Sequence, residues 1–104
     1  MNKGKIQERA RQLVNEERKN PPGWWYISFA DDDGFRGVVI VQGQGFITAL
    51  DRATRLGINP GGEVKGMQLA DDVASKVPIE TRERLLSKTD LERHFGPVSR
   101  WDED

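Results

Sequence analysis

His94 is the single histidine of this 104-residue chain, which has no cysteine. A Ser-His-Asp triad would therefore need His94 together with Ser28, Ser75, Ser87 or Ser99. No Gly-x-Ser-x-Gly elbow sets any of these serines on a strained turn. The lack of cysteine removes disulfides, thiolate metal sites and a cysteine nucleophile. His94 stands near the end of a short helical pattern, where the helix dipole favours a cation, so a surface or capping role is expected. Asp31-Asp32-Asp33-Gly34 gathers three carboxylates but lacks the alternating ligands and twelfth-position glutamate of a calcium loop. Aspartates that bond their own backbone beside a glycine are turn chemistry. No catalytic set, metal site or cofactor is expected.

The most specific pattern is Leu56-Gly57-Ile58-Asn59-Pro60-Gly61-Gly62-Glu63-Val64. Adjacent glycines expose backbone amides that can cradle an anion when they converge. No Gly-Lys-Ser/Thr follows, however, and the glycines precede a strand instead of opening a helix. Glu63 would also repel an anion. The plain alternative is a tight corner that glycine alone permits. The binding reading keeps Asn59, Gly61, Gly62 and Glu63 as candidates, together with Arg36, a cation on an otherwise apolar segment, and Trp24. Trp24 and Trp25 are neighbours, so on a strand they point to opposite faces. One belongs to the core; the other is an exposed anchor or is covered by the first helix.

The elements that must position these residues follow from periodicity. Residues 4–18 read as an amphipathic helix, with Ile6, Ala10, Leu13 and Val14 at helical spacing. Asn20-Pro21-Pro22-Gly23 stops it. Residues 24–30 read as a strand with Trp25, Ile27 and Phe29 on one face. The aspartate turn leads to a second strand, residues 35–41, making an antiparallel hairpin. The apolar run Val38 to Val41 suggests a central strand covered on both faces. A helix over residues 46–56 should bury Phe46, Ala49, Leu50, Ala53 and Leu56, with Gly57 as a left-handed cap. Residues 63–69 read as a third strand. Strand, helix, strand with short links implies a right-handed crossover, placing this strand parallel to residues 35–41 in a mixed sheet. Residues 70–88 are weakly patterned, with Leu85 and Leu86 as anchors. Thr89 and Glu92 match a capping box for a short helix ending at Gly96-Pro97.

The expected fold is thus α+β: a small three-stranded mixed sheet, a hairpin plus one parallel crossover, packed with helices. The expected divisions are an N-terminal amphipathic helix over residues 1–20, one α+β domain over residues 21–97, and an acidic, flexible tail over residues 98–104. The block of residues 24–69 resembles a family of small uncharacterised bacterial proteins. The likeness rests on Trp25-Tyr26-Ile27-Ser28-Phe29-Ala30, on Gly37-Val38-Val39-Ile40-Val41 and on the Leu56–Val64 motif. The resemblance supports the fold and implies no activity.

Charge narrows the partners. Lys3, Lys5, Arg9, Arg11, Arg18 and Lys19 make the first helix basic, but Glu8, Glu16 and Glu17 interrupt it and the whole chain carries a net charge of −1. That argues against nucleic acid and against an anionic membrane surface. No apolar run reaches the roughly 18 residues of a membrane span, and no apolar core follows the N-terminal charges as in a signal peptide. The expectation is a soluble cytoplasmic protein of bacterial or phage origin. It is expected to be non-enzymatic, a binding or adaptor protein with a protein partner. The alternative is a small-molecule binder, of a nucleotide for example, that uses the 57–63 loop. A hydrolase built on Asp31 or Glu63 ranks behind both.

Overall fold

The computed structural model describes residues 3–95, arranged as an α+β unit. Helix α1 spans Lys3–Glu17, strand β1 Gly23–Asp31, strand β2 Gly34–Gly43 and helix α2 Phe46–Arg55. Strand β3 spans Glu63–Gln68, followed by the short helix α3 (Asp71–Ala74), a 3-10 turn at Ile79–Thr81 and helix α4 (Lys88–Phe95). The side chains of Ile6 and Ala10, the Gly96-Pro97 stop and the 98–104 tail lie outside the described residues.

The hairpin forms where the aspartates predict it. The Asp33 amide donates to Asp31 Oδ1 at 2.9 Å, and Gly34 takes φ 118°, which closes the turn. Pairing runs from Gly23 opposite Gly43 to Asp31 opposite Gly34, with a bulge between Phe29 and Ala30.

The sheet order is β2-β1-β3, and both pairings are antiparallel. This corrects the expected mixed sheet with a parallel crossover pair. The connection through α2 carries β3 past β2 to the far side of β1, so β2 and β3 point the same way without touching. It also corrects the central strand, which is β1. The apolar run of β2 reports covered faces, as expected, because Val38, Val39, Ile40 and Val41 are all buried. It carries no information about which strand edge is free.

Alternation along β1 divides the core. Ile27, Phe29, Val39 and Val41 face α2, where Ala49 and Ala53 pack on them with Trp25, Phe46, Leu50, Ile58 and Val64 around. Val38 and Ile40 face the other way, against Val77, Leu86 and Leu91 of the C-terminal segment, with Trp24, Tyr26, Leu69 and Phe95 alongside. Leu86 is the anchor expected from the sequence, whereas Leu85 and Leu56 stay exposed.

Two helix ends differ from their patterns. α2 ends in a Schellman motif: the Gly57 amide donates to Thr54 O at 3.1 Å and the Ile58 amide to Ala53 O at 3.0 Å, with Gly57 at φ 76°. Ile58 therefore takes the core position expected of Leu56. The capping box of α4 is formed by Ser87 and Asp90 instead of Thr89 and Glu92. The Asp90 amide donates to Ser87 Oγ at 3.1 Å and the Ser87 amide to Asp90 Oδ2 at 3.0 Å. The Ser87 backbone amide foremost, then the Ser87 side chain, together with the Arg84 and Arg93 guanidiniums, hold the Asp90 carboxyl below its ordinary value of 3.8.

Helix α1 joins the domain through one carboxylate. Gly45 offers no capping side chain at the start of α2, and its bare Cα leaves room for Glu17. Glu17 accepts the Ile47 amide at 2.9 Å and the Thr48 amide at 2.7 Å. A residue far away in sequence thereby fills the role of an N-cap. Gln44 completes the junction by donating to the carbonyls of Arg18 and Asn20, each at 2.9 Å.

Candidate interaction site

The sequence candidates do not converge. Arg36, Gly62 and Glu63 gather at the hairpin end of the sheet, where Arg36 pairs with Asp31 Oδ2 at 2.7 Å. Trp24 sits six residues from Ala30 along β1, about 20 Å away at strand rise. Arg82 covers Trp24, with its guanidinium carbon 4.7 Å from the ring centre. That guanidinium also donates to Ala74 O at 2.9 Å and to Val77 O at 2.9 Å, so Trp24 belongs to the packing of the C-terminal segment. Trp25 is also engaged, its indole N–H donating to Gly43 O at 3.2 Å and its ring meeting Phe46 edge-on at 6.5 Å.

The Asn59–Glu63 corner spends its polar groups on itself. Asn59 Oδ1 accepts the Gly61 amide at 2.8 Å, and Asn59 Nδ2 donates to Thr54 Oγ1 at 3.0 Å. Gly61 and Gly62 take φ 83° and 97°. A Cβ on Gly61 would meet open space, whereas one on Gly62 would lie 2.5 Å from the Ala30 carbonyl oxygen. Gly62 is therefore required by the close approach of the corner to β1, and the Gly61 amide is already engaged.

A different surface is open. On the face of the sheet away from α2, Val77, Leu86 and Leu91 of the C-terminal segment cover Val38 and Ile40 of β2. An open groove of about 500 Å³ remains over β1 and β3, with Tyr26, Ser28, Phe35, Lys65, Met67 and Leu69 among its lining residues and Glu63 at one end. The register explains the grouping: Tyr26 lies opposite Met67, Ser28 opposite Lys65 and Ala30 opposite Glu63, all on one face. Met67 is 59% exposed and Phe35 43% exposed, so both present apolar surface to solvent on this face. Of the sequence candidates only Glu63 lines this groove. The signal available in the sequence was the alternation Glu63-Val64-Lys65-Gly66-Met67, which marks a strand with one wet face, yet nothing in it showed that Met67 stands on that face.

Chemically the groove offers an apolar floor with two hydroxyl-bearing side chains, Tyr26 and Ser28, one cation and one carboxylate. No group of three or more His, Cys, Asp or Glu side chains that could hold a metal occurs among the described residues, and no described helix is long and apolar enough to cross a membrane. Comparison with family models, with curated proteins and with solved structures gave no match.

Proposed function

We infer that this chain is a small non-enzymatic binding or adaptor protein that acts through protein contacts at the open face of β1 and β3. The observation that carries this reading is the exposure of Met67 and Phe35 on one concave surface whose other half is sealed by the protein's own C-terminal segment. Apolar side chains grouped on a groove and rimmed by polar ones are what a partner's apolar anchor requires. The partner would set such a side chain between Tyr26, Phe35 and Met67, with polar neighbours meeting Ser28, Lys65 and Glu63. Glu63 and the Asp31–Asp33 turn at one end weigh against a nucleic-acid backbone. The family resemblance, the bacterial or phage origin and the cytoplasmic setting are carried forward as parts of the same proposal.

A second reading has its own support. The groove volume falls in the range of about 300–1,000 Å³ typical of small-ligand pockets. An apolar small molecule is favoured over a nucleotide, since of the two glycine amides expected to cradle an anion that of Gly61 is bonded to Asn59, and Glu63 follows directly.

Affinity isolation from the native cell separates the two, using the wild type beside Phe35→Ser and Met67→Ser. A stoichiometric protein that is retained by the wild type and lost by both variants, at unchanged melting temperature, supports the adaptor reading. A stoichiometric small molecule lost by the same variants supports the second. A partner whose retention ignores both substitutions refutes the groove as the working surface.

A further inference from the structure

The two outer edges of the sheet are treated differently by the chain. In an antiparallel strand alternate residues aim their amide and carbonyl at one neighbour, and the residues between aim outward. On β2 the outward residues include Val38, Ile40 and Gln42, and the first two are engaged. Val38 N–H donates to Leu86 O at 3.0 Å, Leu86 N–H returns to Val38 O at 2.8 Å, and Glu83 N–H reaches Ile40 O at 2.8 Å. On β3 the Leu69 amide bonds Trp24 O at 2.9 Å, which fixes Glu63, Lys65, Met67 and Leu69 as the inward set. Val64, Gly66 and Gln68 therefore aim their backbone groups away from β1, and no described residue meets them. An uncovered edge of this kind is a template for another strand.

We propose that β3 pairs antiparallel with β3 of a second copy, about a twofold axis at Gly66, so that two sheets become one six-stranded sheet. The register follows from the alternation. Outward groups meet outward groups only when the axis passes through a residue, which allows Val64, Lys65, Gly66 or Met67 as centres; centring on Met67 would overlap only Gly66 to Gln68. Centring on Lys65 would set that cation directly opposite its own copy, a destabilising like-charge pair. Centring on Val64 would overlap only Glu63 to Lys65 and would need Gly62, whose φ of 97° departs from a strand. Centring on Gly66 pairs Val64 through Gln68 and sets no like charges opposite each other. Gly66 faces Gly66, Val64 faces Gln68 on both sides, and each of these pairs exchanges two hydrogen bonds.

The side chains suit that axis. Gly66 has no side chain because the Phe46 ring occupies the space over it. Two such rings would meet above the paired glycines, extending the α2-side core across the axis. On the groove side, Lys65 faces Met67 of the other copy and vice versa, so its methylene stem covers an exposed methionine while the ammonium stays in water. The contact is isologous and closes on itself, so it stops at two copies. It is carried by the strand edge and shares Lys65 and Met67 with the groove, whereas Phe35 lies outside the pairing and so separates this proposal from the function proposed above.

Light scattering across a concentration series, together with amide exchange on the purified chain, tests the pairing. The expected result is a doubling of solution mass with rising concentration, accompanied by slowed exchange at Val64, Gly66 and Gln68. The amides of Lys65 and Met67, inward in either state, should be slow throughout. Gln68→Pro removes one outward N–H and leaves the inward ladder alone, so it should return the mass to that of one chain with the melting temperature of the undimerised wild type. A single-chain mass at every concentration overturns the proposal. So does a dimer in which Val64, Gly66 and Gln68 stay fast, or protection of those amides by a foreign strand on a single chain. Phe35→Ser, which disrupts the groove, should leave the mass doubled, so failure of one proposal is told from failure of the other.

Discussion

Alanine at Gly62 and alanine at Gly61 differ by one steric contact, and their comparison measures what the Pro-Gly-Gly corner is for. Both glycines have φ in the left-handed half of the map, at 97° and 83°. Forcing an L-residue there costs about 1–2 kcal/mol. The stiffer unfolded chain offsets about 0.4–1 kcal/mol of that. Gly61→Ala meets nothing else and should therefore lose roughly 1 kcal/mol. Gly62→Ala adds a Cβ 2.5 Å from the Ala30 carbonyl oxygen, a backbone atom held in the β1–β3 ladder where Ala30 faces Glu63. That overpacking adds about 1–3 kcal/mol, for a total of roughly 2–4 kcal/mol. At about 4–8 °C per kcal/mol for a domain of this size, Gly61→Ala should melt a few degrees below wild type and Gly62→Ala roughly 8–30 °C below it. Thermal and urea unfolding followed by circular dichroism give both values. Equal losses at the two positions, or a smaller loss at Gly62, would refute the claim that the corner is built to let the chain approach β1. Gly57→Ala, at φ 76° with open space around it, serves as a further control and should match Gly61→Ala.

Other outcomes follow from contacts described above. Glu17→Ala strips the acceptor from the first amides of α2 and should cost about 0.5–2 kcal/mol, as loss of an N-cap does; urea midpoints check it, and Glu17→Gln, with one acceptor oxygen left, should fall between. Arg82→Lys keeps the charge but loses the planar fork over Trp24 and onto the Ala74 and Val77 carbonyls, so tryptophan fluorescence should shift and stability drop by about 1–3 kcal/mol. Asp90 has a lowered carboxyl pKa in the fold, so its contribution is complete above the ordinary value of 3.8 and is lost as pH falls through the lowered folded value. Asp90→Asn should consequently flatten the acid limb of stability below the ordinary carboxylate value of 3.8, as read from urea midpoints.

The elements themselves were legible because they are set by local rules. Trp25, Ile27 and Phe29 share a face through period-two spacing, and Gly57 stops α2 because only a left-handed residue fits a Schellman cap. What the residues could not carry is adjacency. Val38 to Val41 are apolar because two layers cover them, and the same composition suits an edge strand whose rim is closed by Leu86. A right-handed crossover says which way β3 points, while the choice to lie beside β1 is made by long-range packing. The Glu17 cap was invisible for a related reason. Gly45 shows that α2 lacks its own cap, yet Glu16 and Glu17 are equal as letters, and only the helix phase decides which one reaches. The groove is not legible in the sequence because Met67 and Phe35 carry no pattern of their own; their place on one exposed face is set by strand register and packing.

The central place of β1 has a consequence for the order in which the fold can be completed. β1 and β2 leave the ribosome as a finished hairpin with both rims bare, since the partner of Ala30 is Glu63 and the partner of Val38 is Leu86. One rim is closed only when residues 63–68 emerge, and the other only when residues 83–86 follow. Until then the nascent hairpin presents two bare edges and two uncovered apolar faces, the state in which strand-to-strand association is easiest. The late segments of this chain therefore act as its closing pieces, and a product cut short before Leu86 would keep the adhesive side of a sheet that the full chain shields.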